Sequence, residues 1–167
     1  KRFEYDELGE TSWLVDIGDH VDRVHPITEA TMGKANVQLM NELKYDYVTL
    51  GNNEGITLAH NDLYHLYDDA QFQVLCANLQ CAEKENPPWL KSSTITTSQH
   101  GLKVGLIGLT VPYNKYYQLL GWYVEPVFET LAIELAFIER EADVIILLSH
   151  LGIYTDQQIA ETFPHID

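Results

Sequence analysis

Apolar runs that end abruptly on polar turns recur along this chain. Residues 12–18 (SWLVDIG), 45–51 (YDYVTLG), 72–78 (FQVLCAN) and 142–150 (ADVIILLSH) are short, apolar and rich in β-branched side chains, the pattern of buried strands. Between them the spacing turns helical. Over residues 28–43, Met32, Ala35, Leu39 and Leu43 recur at three- and four-residue steps downstream of Pro26, which predicts a helix with that face buried. A shorter helix is expected over 57–67. A long one is expected over 126–142, with Pro126 in its first turn and Val127, Leu131, Leu135, Ile138 and Ala142 inward. A last short helix is expected over 155–163, and the closing HID reads as the start of another strand. STITTSQ and LKVGLIGLT, joined through His100-Gly101, predict a β-hairpin whose glycine tolerates positive φ. Residues 83–92 carry Pro-Pro and several charges and read as a loop.

Strands that alternate with helices, with one hairpin inserted, predict an α/β domain whose sheet is mostly parallel with an antiparallel section. The 167 residues suit one domain, and a hydrophobic content of 46% is enough for a packed core. The net charge of −15, from 10 Lys+Arg against 25 Asp+Glu, argues against a nucleic-acid polymer or an anionic membrane as partner. A small phosphorylated substrate would need a cation to enter this field. Cys76 and Cys81 are too few for a disulfide framework and favour a reducing, cytoplasmic setting, an upstream signal segment aside.

Three of the apolar runs end alike. WLVDI leads into Gly18-Asp19, YVTL into Gly51-Asn52-Asn53-Glu54, and VIILL into Ser149-His150. In an open α/β sheet, ligands bind beyond the carboxyl ends of the strands, so Asp19, Asn52 and His150 are expected to converge on one edge. A carboxylate, an amide oxygen and an imidazole nitrogen form a mixed O/N set that suits Mn, Fe, Co, Zn or Ni better than Mg or Ca. The competing reading, an α/β domain with no metal site, predicts that the three side chains are not neighbours. Other candidates are weaker. GLKVGLIG lacks a dinucleotide or P-loop spacing, and His60 and His65, five apart, do not share a helix face. The aromatics between Tyr113 and Tyr123 are expected to pack over a core edge rather than to line a substrate wall.

Gly18-Asp19-x-x-Asp22-Arg23, Gly51-Asn52-Asn53-Glu54 and Ser149-His150, in that order, resemble the calcineurin-like metallophosphoesterase superfamily. The resemblance is nearest to its 5′-nucleotidase branch and, through Gly-Asn-Asn-Glu-Gly, to a bacterial subgroup, the YunD-like proteins. It implies a layered α/β sandwich with a mixed sheet, two divalent metal ions, and hydrolysis of a phosphomonoester, nucleotide or related metabolite, by a metal-bridged hydroxide attacking in line. By the same resemblance Asp19 is the carboxylate shared by both ions, and Asn52 and His150 are ligands of the second. Asp22 and Arg23 then support the turn and orient the ligands. His20 has no ligand role in the family and is expected either to support the ligands or, the preferred reading, to face solvent.

Two departures from the family pattern qualify this picture. The D-x-H and G-H-x-H motifs are expected before Lys1 and after Asp167, so residues 1–167 read as a single-domain piece incomplete at both ends. A carboxyl-terminal substrate domain is expected beyond it. A piece lacking those motifs is expected to hold metal poorly. Asn53 also stands where the family usually has a histidine that protonates the leaving oxygen. An amide can donate a hydrogen bond but cannot deliver a proton. The alternative to an enzyme is therefore a weak or inactive relative that binds a phosphate ligand or acts as a scaffold.

Overall fold

The computed structural model describes residues 12–98 and 100–167. Its first sheet is all parallel, in the order β1 (Val15–Asp16), β2 (Tyr47–Val48), β3 (Gln73–Leu75), β5 (Leu90–Lys91). The second joins β6 (Ser93–Thr97) antiparallel to β7 (Lys103–Thr110), and β7 parallel to β9 (Val144–His150). β4 (Leu79–Cys81) and β8 (Trp122–Val124) form an antiparallel ribbon. The helices are α1 (Pro26–Thr31), α2 (Lys34–Glu42), α3 (Asn52–Thr57), α4 (His60–Tyr64), α5 (Asn114–Tyr117), α6 (Val127–Ile138) and α7 (Ile153–Thr162).

The apolar strands are buried on both faces because the two larger sheets pack against each other as well as against helices. Val48, Leu50, Val74 and Cys76 face a core with Val37, Met40, Leu58 and Leu63 from the helical side. Tyr47, Leu75, Val104, Leu106 and Leu148 fill the space between the sheets. Ile107, Leu109 and Ile145 pack on Val127, Leu131, Leu135 and Ile138 of α6 and Ile159 of α7. The order helices, sheet, sheet, helices is the layered sandwich expected. β3 and β7 touch backbone to backbone at Gly108, where a Cβ would overlap the Leu75 carbonyl. Along β9 the alternation is strict: Val144, Ile146 and Leu148 face between the sheets, Ile145 and Leu147 the helices. His150 ends the strand in phase with the inter-sheet set.

The hairpin forms as read, with Gly101 at φ 83°. α6 buries Val127, Leu131, Leu135 and Ile138; it ends before Ala142, which packs on the same core from the following turn. Several expectations change: the strands over 12–18 and 45–51 shorten to Val15–Asp16 and Tyr47–Val48, and the closing HID forms no strand of its own. The helix over 28–43 is two helices, broken at Met32 and Gly33, both with positive φ. A Cβ on Gly33 would stand 2.9 Å from both Val21 methyls, so buried Val21 as well as the left-handed φ favours glycine at the break. Past it the inward face is Val37 and Met40, and Leu39 is 61% exposed. The helix over 57–67 is instead α3 and α4, starting directly after Gly51. The strand over 72–78 is β3 only to Leu75; Cys76 N–H still bonds the Lys91 carbonyl of neighbouring β5, and Ala77 N–H then crosses to the Gly108 carbonyl of the other sheet. The loop over 83–92 contains β5. The closing HID runs beside β9 through Asp167 N–H to the Ile145 carbonyl, 3.0 Å, and Ile145 N–H to Asp167 Oδ2, 3.0 Å.

Candidate metal centre

β1, β2 and β9 all end at the same edge, where the two sheets meet. The turn after β1 passes through Gly18 (φ 99°) and Asp19 (φ 63°), a left-handed backbone that Asp tolerates better than most residues. Its neighbour is the turn after β2. A Cβ on Gly18 would overlap the Gly51 backbone, and one on Gly51 would overlap Asp19 Oδ1. Both glycines are therefore required by close approach of the two turns.

These turns and the end of β9 bring Asp19, Asn52 and His150 together. His150 Nε2 is 3.5 Å from Asp19 Oδ2 and 3.4 Å from Asn52 Oδ1. Its Nδ1 is 2.8 Å from the Ile17 carbonyl oxygen. A carbonyl only accepts, so Nδ1 carries a proton, and Nε2 is the nitrogen left to face the two oxygens and to serve as a ligand when deprotonated. One imidazole nitrogen thus has a carboxylate oxygen and an amide oxygen within 3.5 Å. The side chains of Asp19 and His150 are 34% and 22% exposed, open to an incoming ion. The donor set suits a divalent cation, and the three side chains are neighbours, unlike the arrangement predicted by the reading without a metal site. Among the described residues no three His, Cys, Asp or Glu side chains could share an ion; here the third donor is the Asn52 amide.

Asn53 contributes first through its backbone, its N–H donating to Asp19 Oδ1 at 2.8 Å. Its Oδ1 lies 3.4 Å from Asn52 Nδ2. Asp22 and Arg23 make their contacts within and beside the turn rather than on the ligand side chains. Asp22 Oδ1 accepts from Val24 N–H at 3.0 Å. Arg23 grips Glu29 at 2.6 and 3.0 Å and donates to the Thr57 carbonyl at the end of α3.

The residue missed by sequence reasoning is Glu54, which is fully buried. Its Oε2 accepts from Asp19 N–H (2.9 Å) and Gly51 N–H (2.7 Å), and its Oε1 from Val21 N–H (2.7 Å). One carboxylate thus fastens both turns. Its place three residues into a helix that opens after a strand-ending glycine was the available signal, since a glutamate there commonly reaches back to the helix start.

His20 corrects the solvent-facing expectation. Its side chain is 7% exposed, with Nδ1 donating to Asp16 Oδ1 at 2.9 Å and Nε2 paired with the Tyr67 hydroxyl at 2.7 Å. Burial alone would lower this imidazole, but the Asp16 hydrogen bond and the charges of Glu54, Asp16 and Asp19 raise it above its usual value. Burial alone would raise the Asp16 carboxyl, but His20 and the Gly18 N–H hold it below the ordinary range. Of the aromatics beyond Pro112, Tyr117 and Trp122 are core residues, as expected, and Tyr113 and Tyr116 are exposed.

No family model matches the chain. The chain is 45% identical over all 167 residues to an uncharacterized metallophosphoesterase, YunD of Bacillus subtilis, and spans 36% of that protein. Among solved structures, a putative 5′-nucleotidase from Staphylococcus aureus superposes with a TM-score of 0.82 at 22% identity, over 99% of this chain and 37% of that one. The calcineurin-like phosphoesterase YfkN of Bacillus subtilis superposes at 0.71 with 26% identity, over 90% of this chain and 52% of that one. The chain thus spans about a third of the length of its curated relative. Sequence likeness from end to end, laid over a shared layered fold, gives the assignment: the chain belongs to the YunD-like metallophosphoesterases and has the fold of the calcineurin-like phosphoesterases.

Proposed function

We propose that the full-length protein hydrolyses phosphomonoesters, with a nucleotide or related small metabolite as substrate and two divalent ions of the Mn, Fe, Zn or Co type as cofactors. The observation that carries this reading is the convergence of Asp19 Oδ2, Asn52 Oδ1 and a His150 Nε2 whose tautomer is fixed from behind. Asp19 would serve both ions, Asn52 and His150 the second. The other ligands are assigned to an Asp-x-His before Lys1 and a Gly-His-x-His after Asp167, and base recognition to a further carboxyl-terminal domain. When bound, such ions neutralise phosphoryl oxygens and make a water nucleophilic near neutral pH.

The chain's own residues orient and hold. The Ile17 carbonyl aims His150, and Asn53 N–H fixes one oxygen of Asp19 so that the other points at the site. With its Oδ1 toward Asn52, Asn53 offers its Nδ2 as a hydrogen-bond donor to a phosphoryl oxygen. It brings no proton for the leaving oxygen, so substrates with good leaving groups are favoured. A cytoplasmic setting belongs to the same proposal. Both cysteines are free thiols, and among the described residues no helix is long and apolar enough to cross a membrane.

The test is turnover of p-nitrophenyl phosphate and nucleoside monophosphates by the full-length protein loaded with Mn, with metal content measured alongside. Activity that disappears on chelation and returns with Mn supports the proposal. Full metal content without turnover overturns it in favour of a phosphate-binding module, the reading that Asn53 supports.

A further inference from the structure

A second nucleophile stands against a base where β4, α4 and β8 meet, on elements that carry none of Asp19, Asn52 and His150. We propose that Cys81 and His60 form a thiol–imidazole dyad that makes Cys81 a site of thiol–disulfide exchange with low-molecular-weight disulfides. His60 opens α4, and its Nδ1 lies 3.1 Å from the Leu120 carbonyl oxygen. Since that oxygen only accepts, Nδ1 carries a proton, which leaves Nε2 as the nitrogen that can act as the base. Nε2 faces Cys81 Sγ at 3.9 Å.

The ring has a seat independent of the sulfur. It lies tilted over Trp122 with centroids 5.1 Å apart and near Tyr64 at 5.9 Å. Gly121, at φ 76°, comes close enough that a Cβ there would stand 2.9 Å from His60 Nδ1. Cys81 is held from its own side: its N–H donates to Asn86 Oδ1 at 2.7 Å, and it pairs with Trp122 across the ribbon. The other thiol is unlike it. Cys76 is fully enclosed, and burial pushes it up to about 12, whereas Cys81 is half-buried.

In the exchange His60 Nε2 takes the Cys81 proton and the Sγ thiolate attacks one sulfur of the disulfide. The new Sγ–S bond forms as the S–S bond breaks, and the departing thiolate recovers the proton from His60. A thiol and a disulfide become a mixed disulfide and a thiol, with no other oxidant or reductant.

The experiment treats the natively folded full-length protein with dithiodipyridine between about pH 6 and 9, follows release of thiopyridone, and assigns the label by peptide mapping. Cys81 is expected to react without denaturant, at a rate that falls less steeply with decreasing pH than that of an unassisted thiol, which slows about tenfold per pH unit. His60→Gln can keep a donor on the Leu120 carbonyl but supplies no base. It is expected to restore the tenfold-per-unit slope and to react about tenfold more slowly at pH 6.5. A wild-type rate that falls tenfold per pH unit, or a Cys81 that labels only after denaturant is added, overturns the proposal whatever the variants do.

Discussion

The two sides of the candidate metal centre are built differently. Asp19 and Asn52 sit on turns that touch backbone to backbone and share one buried carboxylate, Glu54, as acceptor for three N–H groups. His150 arrives from the other sheet and is steadied by one hydrogen bond to Ile17 and by the phase of β9. On the first side, geometry of the site and stability of the fold are the same property. On the second, the ligand is a tip that the fold carries without depending on it.

Substitutions can break that contrast, and the largest effect on the fold is expected at Glu54. Glu54→Ala leaves three N–H groups without their acceptor in a buried place, which should cost about 3–5 kcal/mol in denaturant unfolding. A cost below about 1 kcal/mol would show that the turns hold without it. Gly51→Ala comes next. Its Cβ must displace the Asp19 carboxylate, for about 1–3 kcal/mol and a loss of bound metal measured by elemental analysis. His150→Ala should remove metal with only about 1 kcal/mol of stability, the net worth of its bond to Ile17. If it destabilises as much as Glu54→Ala, the two sides are not distinct. Asn53→His leaves the backbone donor to Asp19 in place and should move stability by less than about 0.5 kcal/mol. By adding a proton donor it should raise kcat on alkyl phosphates by about a hundredfold while changing p-nitrophenyl phosphate little. Equal gains on both substrates would count against a missing acid at this position.

The same contrast separates what was legible in the sequence from what was not. The strands, the hairpin and the inward face of α6 obey one local period each, and period is what a sequence displays. The convergence of Asp19, Asn52 and His150 followed from strand ends, a rule of topology. The break at Met32 and Gly33 did not, because its surroundings include Val21, twelve residues from Gly33 in sequence and close against it in space. Leu39 was misplaced for the same reason. Glu54 and His20 were visible as polar letters, but their roles depend on which N–H groups and carboxylates the fold delivers to them. His20 looked like a surface residue because nothing local reveals that Asp16 and Tyr67 enclose it.

If Asp19, Asn52 and His150 hold metal as proposed, the phase of β9 makes metal content a readout of folding fidelity. His150 reaches the centre because it shares a face with Val144, Ile146 and Leu148. A pairing of β7 with β9 slipped by one residue would exchange the two faces, aiming Ser149 at Asp19 and Asn52 and turning His150 toward the helices. Such a molecule could still be compact and helical, and bulk spectroscopy would pass it. It would lack the nitrogen ligand, so binding to an immobilised divalent ion would sort correctly registered chains from slipped ones.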